Sequence, residues 1–264
     1  MHLKKKKIMP ELILKKLFED YREGEQDPLK GGLLVSRLID DDLNTTWVYD
    51  QFNDLAKKMR VSGDTVTFLD DLQRFGFEGA LDFNDKKLSS IAYVLRHRIG
   101  IPISLAMVII GIGNVLGFRI KGINFPGHFL LKLNDLLIDP HGLKAVQVGT
   151  ETMLNNQRCF IDPNYLVEIN GVKIVSRMLN NLRFIAIKEN DFNKAIEYCS
   201  YQILIENVNF QLYIERASLF LNSGDKEGAL KDLERAIIDA PTDAVRSRLI
   251  INRDKITRKN HIVH

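Results

Sequence analysis

His128 and Asp139 are the two residues whose types and spacing suit proton chemistry, an imidazole to accept a proton and a carboxylate to orient it. They stand in PGHFLLKLNDLLIDPHG, where apolar runs flank Asn134-Asp135, a pair that reads as a tight hairpin turn. With a two-residue turn, Leu133 faces Leu136, Leu130 faces Asp139 and His128 faces His141. His128 and Asp139 then share a sheet face as diagonal neighbours, roughly 7–8 Å apart at the backbone. Pro140 weakens the His141 pairing, because proline brings no N–H to the ladder. A pair placed this way can serve as base and orienter, as a structural hydrogen bond or as a ligand-binding pair. A base without a nucleophile can still activate water.

The nucleophile is what this stretch lacks. No cysteine precedes Cys159, and Ser104 is the nearby hydroxyl. Ser104 falls in the first turn of an apolar helix, where the helix dipole favours an oxyanion. A small polar residue at a helix start also commonly bonds the backbone, and that is the expected role here. Cys159 follows Arg158 in a segment whose structure the pattern does not define, and nothing beside it lowers a thiol pKa. Cys199 occupies a helix-packing position and reads as an inert buried thiol. His97, His128, His141 and Asp139 show no metal-ligand spacing, so no metal is expected. GIGNVLG lies inside an apolar run rather than between strand and helix, which argues against a phosphate loop and leaves no cofactor expected.

The elements that must position these residues follow from periodicity. Ile101 to Phe118 is almost wholly apolar, close to the length of a membrane span. Ser104, Asn114, three glycines and polar flanks favour a helix buried on all faces, opened by Pro102 and closed by Gly117. Apolar stripes before it predict helices around Leu12–Phe18, Leu33–Ile39, Trp47–Met59, Val66–Phe75 and Ser89–Arg98, with Asp64 as a cap. Residues 119–125 and the runs on either side of Asn134-Asp135 predict strands. From Lys173 the pattern is helical. NDFNKAIEYC and GDKEGALKDL align at a spacing of 34, the period of tetratricopeptide helix pairs. The first repeat places Arg183 and Gln202 where small residues are usual.

The run YVLRHRIGIPISLAMVI, then PGHFLLKL, IDPHG, RMLNNLR and the repeat tail together resemble the bacterial SirB-type proteins, over nearly the whole chain. The resemblance implies an α+β transglutaminase/papain-like (cysteine-proteinase-like) domain, residues 1–168, with a helical scaffold over 1–98 and a core helix and sheet over 99–168. An α-helical tetratricopeptide domain over 172–264 follows. The family pattern places its catalytic His at His128 and its Asp at Asp139, while its Cys falls on Pro102, which has no nucleophile. Ser104 points about 200° around the helix from residue 102 and would not take the thiol's place.

A hydrophobic content of 45% with 27% charged residues marks a soluble globular chain, and a net charge of +3 gives no strong case for nucleic acid or an anionic membrane. Two cysteines make no disulfide framework, so a cytoplasmic location is expected. The leading expectation is a non-catalytic, degenerate transglutaminase-like protein, a pseudoenzyme that binds a protein or peptide partner as a regulatory adaptor through its repeats. The alternative is a hydrolase or acyl transferase on peptide or amide bonds, using His128 and Asp139 with Ser104 or water. Nucleic-acid binding through the basic ends (Lys4 to Lys7, Arg246 to Lys259) is a third reading, testable by its salt dependence. The sequence predicts no oligomeric state.

Overall fold

The computed structural model describes residues 3–60, 65–155, 157–207 and 209–258, with side chains from residue 12 onward. Four helices come first: α1 (Leu3–Glu23), α2 (Pro28–Arg37), α3 (Thr45–Lys58) and α4 (Thr65–Arg74). Asp27 caps α2 by accepting the Leu29 N–H at 2.8 Å, with Pro28 in the first turn where a missing donor costs nothing. Asn44 caps α3 by accepting from the Trp47 N–H. The cap expected at Asp64 lies outside the described residues.

A short parallel pair, β1 (Glu78–Gly79) and β2 (Ile99–Gly100), brackets α5 (Ile91–His97). Then comes α6 (Pro102–Val115), buried at every residue from Ile103 to Gly113. It is a core helix, as its uninterrupted apolar run implies. Packing there is close: a Cβ on Gly111 would lie 2.4 Å from the Phe52 ring. Gly117 ends the helix at φ +78°, a conformation that favours glycine, and its N–H bonds the Asn114 carbonyl. No helix of the described residues is long and apolar enough to cross a membrane.

The chain next builds β3 (Ile120–Phe125), β4 (His128–Leu133), β5 (Leu136–Asp139) and β6 (Lys144–Val146). A separate hairpin, β7 (Glu151–Leu154) and β8 (Gln157–Phe160), precedes β9 (Glu168–Ile169). The main sheet is antiparallel throughout, in the order β6-β5-β4-β3-β9. Leu133 pairs with Leu136 across Asn134 (φ 55°) and Asp135, the expected two-residue turn. The β4–β5 ladder runs only to Leu131 opposite Ile138, and β5 stops at Asp139, so His128 and His141 are not ladder partners. Pro140 accounts for the stop. Behind this sheet Ile123, Phe125, Leu130, Leu137, Val146, Leu154 and Ile161 form one apolar cluster, with Cys159 and Leu166 at its margin.

The remaining helices are α7 (Gly171–Lys188), α8 (Phe192–Glu206), α9 (Phe210–Ser223), α10 (Lys226–Ile238) and α11 (Asp243–Arg258). The chain divides into two compact units: Glu23–Met178, and the segment up to Arg22 together with everything from Leu179 onward. In the second unit α8 and α10 begin 34 residues apart, each capped by an aspartate, Asp191 on the Lys194 N–H and Asp225 on the Gly228 N–H. Ala217, Ala229, Leu233, Ala236 and Leu249 fill its core, the small residues allowing the helices to approach closely. Arg183, large for its repeat position, is buried against Glu215 (2.5 Å) and donates to Cys199 Sγ (3.3 Å).

Candidate functional site

The turn Pro126-Gly127 starts β4, so His128 is the first residue of a strand flanked on both sides by sheet. Its backbone carbonyl accepts from Arg177 Nη2 at 3.2 Å, and the same guanidinium donates to Asn124 Oδ1. These contacts fix the strand start from the α7 side. The ring itself is buried at 7% exposure, with Phe125 beside it at 6.4 Å between centroids.

Two side chains from the β7–β8 hairpin hold the ring. Cys159 Sγ lies 3.2 Å from Nε2, and the Asn155 side-chain amide lies 3.3 Å from Nδ1. Asn155 sits in the turn at φ 48°, a left-handed conformation that asparagine tolerates better than most residues. Leu154 pairs with Gln157 and Thr152 with Cys159, so these four share one hairpin face. Glu151, Met153, Arg158 and Phe160 form the other face and are all exposed. The alternation therefore turns Cys159 inward, and it remains half-buried.

Asp139 is also buried, and its negative charge favours the protonated form of His128. Burial outweighs that influence and holds the imidazole below its ordinary value, with the Arg177 charge acting in the same direction. A neutral ring at neutral pH is one that can accept a proton. The Asp139 carboxylate accepts the His141 N–H at 3.0 Å, and a Cβ on Gly142 would crowd its Oδ2 at 2.8 Å. His141 itself turns away: its Nε2 is 2.9 Å from the Ala80 carbonyl, and its ring covers Gly79. His97 stacks on Tyr93. Among the described residues no group of three His, Cys, Asp or Glu is placed to hold a metal ion.

Ser104 is placed differently from His128. It is fully buried, its hydroxyl donates to the Leu88 carbonyl at 2.6 Å, and it accepts from the Ile101 N–H at 3.1 Å. The hydrogen bonds of the His128 ring go to Asn155 and Cys159 instead. Pro102 opens α6 and contributes neither a thiol nor an N–H.

The sequence singles out His128 and Asp139 and does not anticipate that Asn155 and Cys159 meet the His128 ring. One signal was present: ETML and QRCF flank Asn155-Asn156 much as the β4 and β5 runs flank Asn134-Asp135. A hairpin drawn there would have set Cys159 on an ordered strand.

Comparison with known proteins agrees with the architecture. A family model for a tetratricopeptide repeat matches residues 182–250. A Xylella fastidiosa UPF0162 protein is 29% identical over 198 residues, covering 67% of this chain and 69% of the relative. A Vibrio cholerae UPF0162 protein is 26% identical over 193 residues, covering 64% and 69%. No solved structure matches. The model of the Transglutaminase-like superfamily matches residues 48–180, half of the chain, and the protein belongs to that superfamily.

Proposed function

We propose that this protein is a cytoplasmic adaptor of the SirB type, which binds a protein or peptide partner through its tetratricopeptide helices and has a regulatory role. The observation that carries this reading is the helical repeat: capped helices 34 residues apart, matched by the tetratricopeptide family. Stacked helix pairs of this kind build a concave surface on which a peptide can lie. The start of α6 supports the same reading, since Pro102 offers no nucleophile and the Ser104 hydroxyl is committed to backbone partners. On this view no step of chemistry passes through Ser104.

The test is selection of a displayed random-peptide library on the full chain. The reading expects a recurrent peptide motif, and a synthetic copy of it should bind saturably at micromolar Kd or tighter, roughly −8 kcal/mol. A library that yields no motif, or a motif whose peptide does not saturate, would remove the adaptor reading.

A further inference from the structure

The contact between Cys159 and His128 goes beyond partner binding. We infer that Cys159 is a nucleophile served by His128 as general base and by Asn155 as positioning residue, forming an acyl-transfer site on the β7–β8 hairpin rather than at the start of α6. Three observations carry it. Sγ and Nε2 are 3.2 Å apart, within reach for proton transfer. The opposite ring nitrogen is met by Asn155 Nδ2 at 3.3 Å, and exchanging the amide's nitrogen and oxygen gives the order nucleophile, base and orienter. Rotating the amide by 180° presents Oδ1 to an Nδ1–H and leaves Nε2 free to accept from the thiol. Finally, Cys159 is half-buried, whereas Cys199 is sealed between helices and burial pushes its thiol up against the opposing Arg183 charge.

The chemistry balances within the site. Nε2 takes the thiol proton, and the sulfur electron pair forms a bond to the acyl carbon as the carbonyl π pair moves onto oxygen. Collapse restores the carbonyl and breaks the bond to the leaving group, an amine, alcohol or thiol that departs with the proton held by His128. Water or a second amine then attacks the thioester, gives its proton to Nε2 and frees the thiol. The substrate class is an acyl donor: an ester, a thioester or a carboxamide.

The charged groups that act on the His128 ring are Asp139 on β5 and Arg177 on α7, while Lys144 Nζ bonds the Met153 carbonyl of β7 at 3.0 Å. Glu151 and Arg158 pair with each other on the outer face of the hairpin. His128 Nε2, 3.2 Å away, is the base that the geometry places at Sγ.

The experiment is acetylation of the folded full chain by p-nitrophenyl acetate, with the modified residue located by mass spectrometry and the rate followed from pH 5 to 9. The acetyl group is expected on Cys159 and not on Cys199. The rate should rise as the imidazolium loses its proton, below the ordinary histidine value of about 6.5, and level off by neutral pH. His128→Asn should slow labelling on the order of 100-fold and replace the plateau with the alkaline climb of an isolated thiol. If that variant does not fold, the wild-type profile decides alone: no neutral plateau, or no label on Cys159, overturns the inference. Asn155→Asp should move the midpoint upward, because a carboxylate at Nδ1 favours the imidazolium. An unmoved midpoint overturns the role given to Asn155.

Discussion

The start of α6 and the β7–β8 hairpin are two places where the chain gathers polar side chains against a buried core, and they differ in what is left over. At α6 the Ser104 hydroxyl both donates and accepts, every bond goes to backbone, and the residue is fully buried. At the hairpin the bonds run from side chain to side chain, Cys159 is half-buried, and the group between them titrates. A saturated site made of backbone bonds can only hold a fold together. A partly open site made of a thiol and an imidazole can also move a proton. The helix start where the family resemblance leads one to expect a nucleophile holds Pro102, whereas the thiol beside an imidazole is Cys159 on β8.

The largest expected effect sharpens the structural half of that contrast. Ser104→Ala strips the Ile101 N–H and the Leu88 carbonyl of a partner in a fully buried site, at a cost of about 2–4 kcal/mol. Denaturant unfolding should show it, with the rate of Cys159 acetylation in the folded protein unchanged. A stability loss of under about 1 kcal/mol would mean that the α6 start is not held as described. Next in size is Gly111→Ala, whose new Cβ would meet the Phe52 ring at 2.4 Å, so overpacking should cost about 1–3 kcal/mol. Phe52→Leu combined with it should recover part of that loss. Strict additivity of the two substitutions in a double-mutant cycle would show that they do not share the contact. Pro102→Ala should change stability by only about 0.5–1 kcal/mol, through loss of the preset φ at the first helical position.

These two regions were also unequally legible in the sequence. The start of α6 could be read directly, because Pro102, Gly117 and the apolar run between them are local signals, and the structure puts helix and cap there. The β4–β5 register followed from Asn134-Asp135 in the same way. The β7–β8 strands carry a weaker signal, since each is only four residues long, one face is exposed, and the runs beside Asn155-Asn156 are less apolar than those beside Asn134-Asp135. The pairing of His128 with Cys159 is harder still. It joins residues 31 apart from two different sheets, and neither periodicity nor spacing encodes where a separate hairpin folds back. His141 makes the same point in reverse: a ladder extended past Asp139 would have set it opposite His128, but Pro140 ends the strand and the ring goes to Ala80.

The smallest effect probes the hairpin site without any ligand. Burial holds the folded His128 below an unfolded imidazole, with Asp139 opposing and Arg177 assisting. Between those two values the unfolded chain binds more protons than the folded one. The contribution of His128 to stability is therefore fully present above roughly pH 6.5 and is lost as pH falls through that window toward the folded value. Its share of the slope is less than one proton, so it must be read as a difference between proteins. Unfolding free energies measured at intervals from pH 5 to 7 should fall less steeply with acidification in His128→Asn than in the wild type. Equal slopes would mean that the imidazole is as well solvated in the fold as out of it, and a ring that wet would not be the enclosed base on which the hairpin site depends.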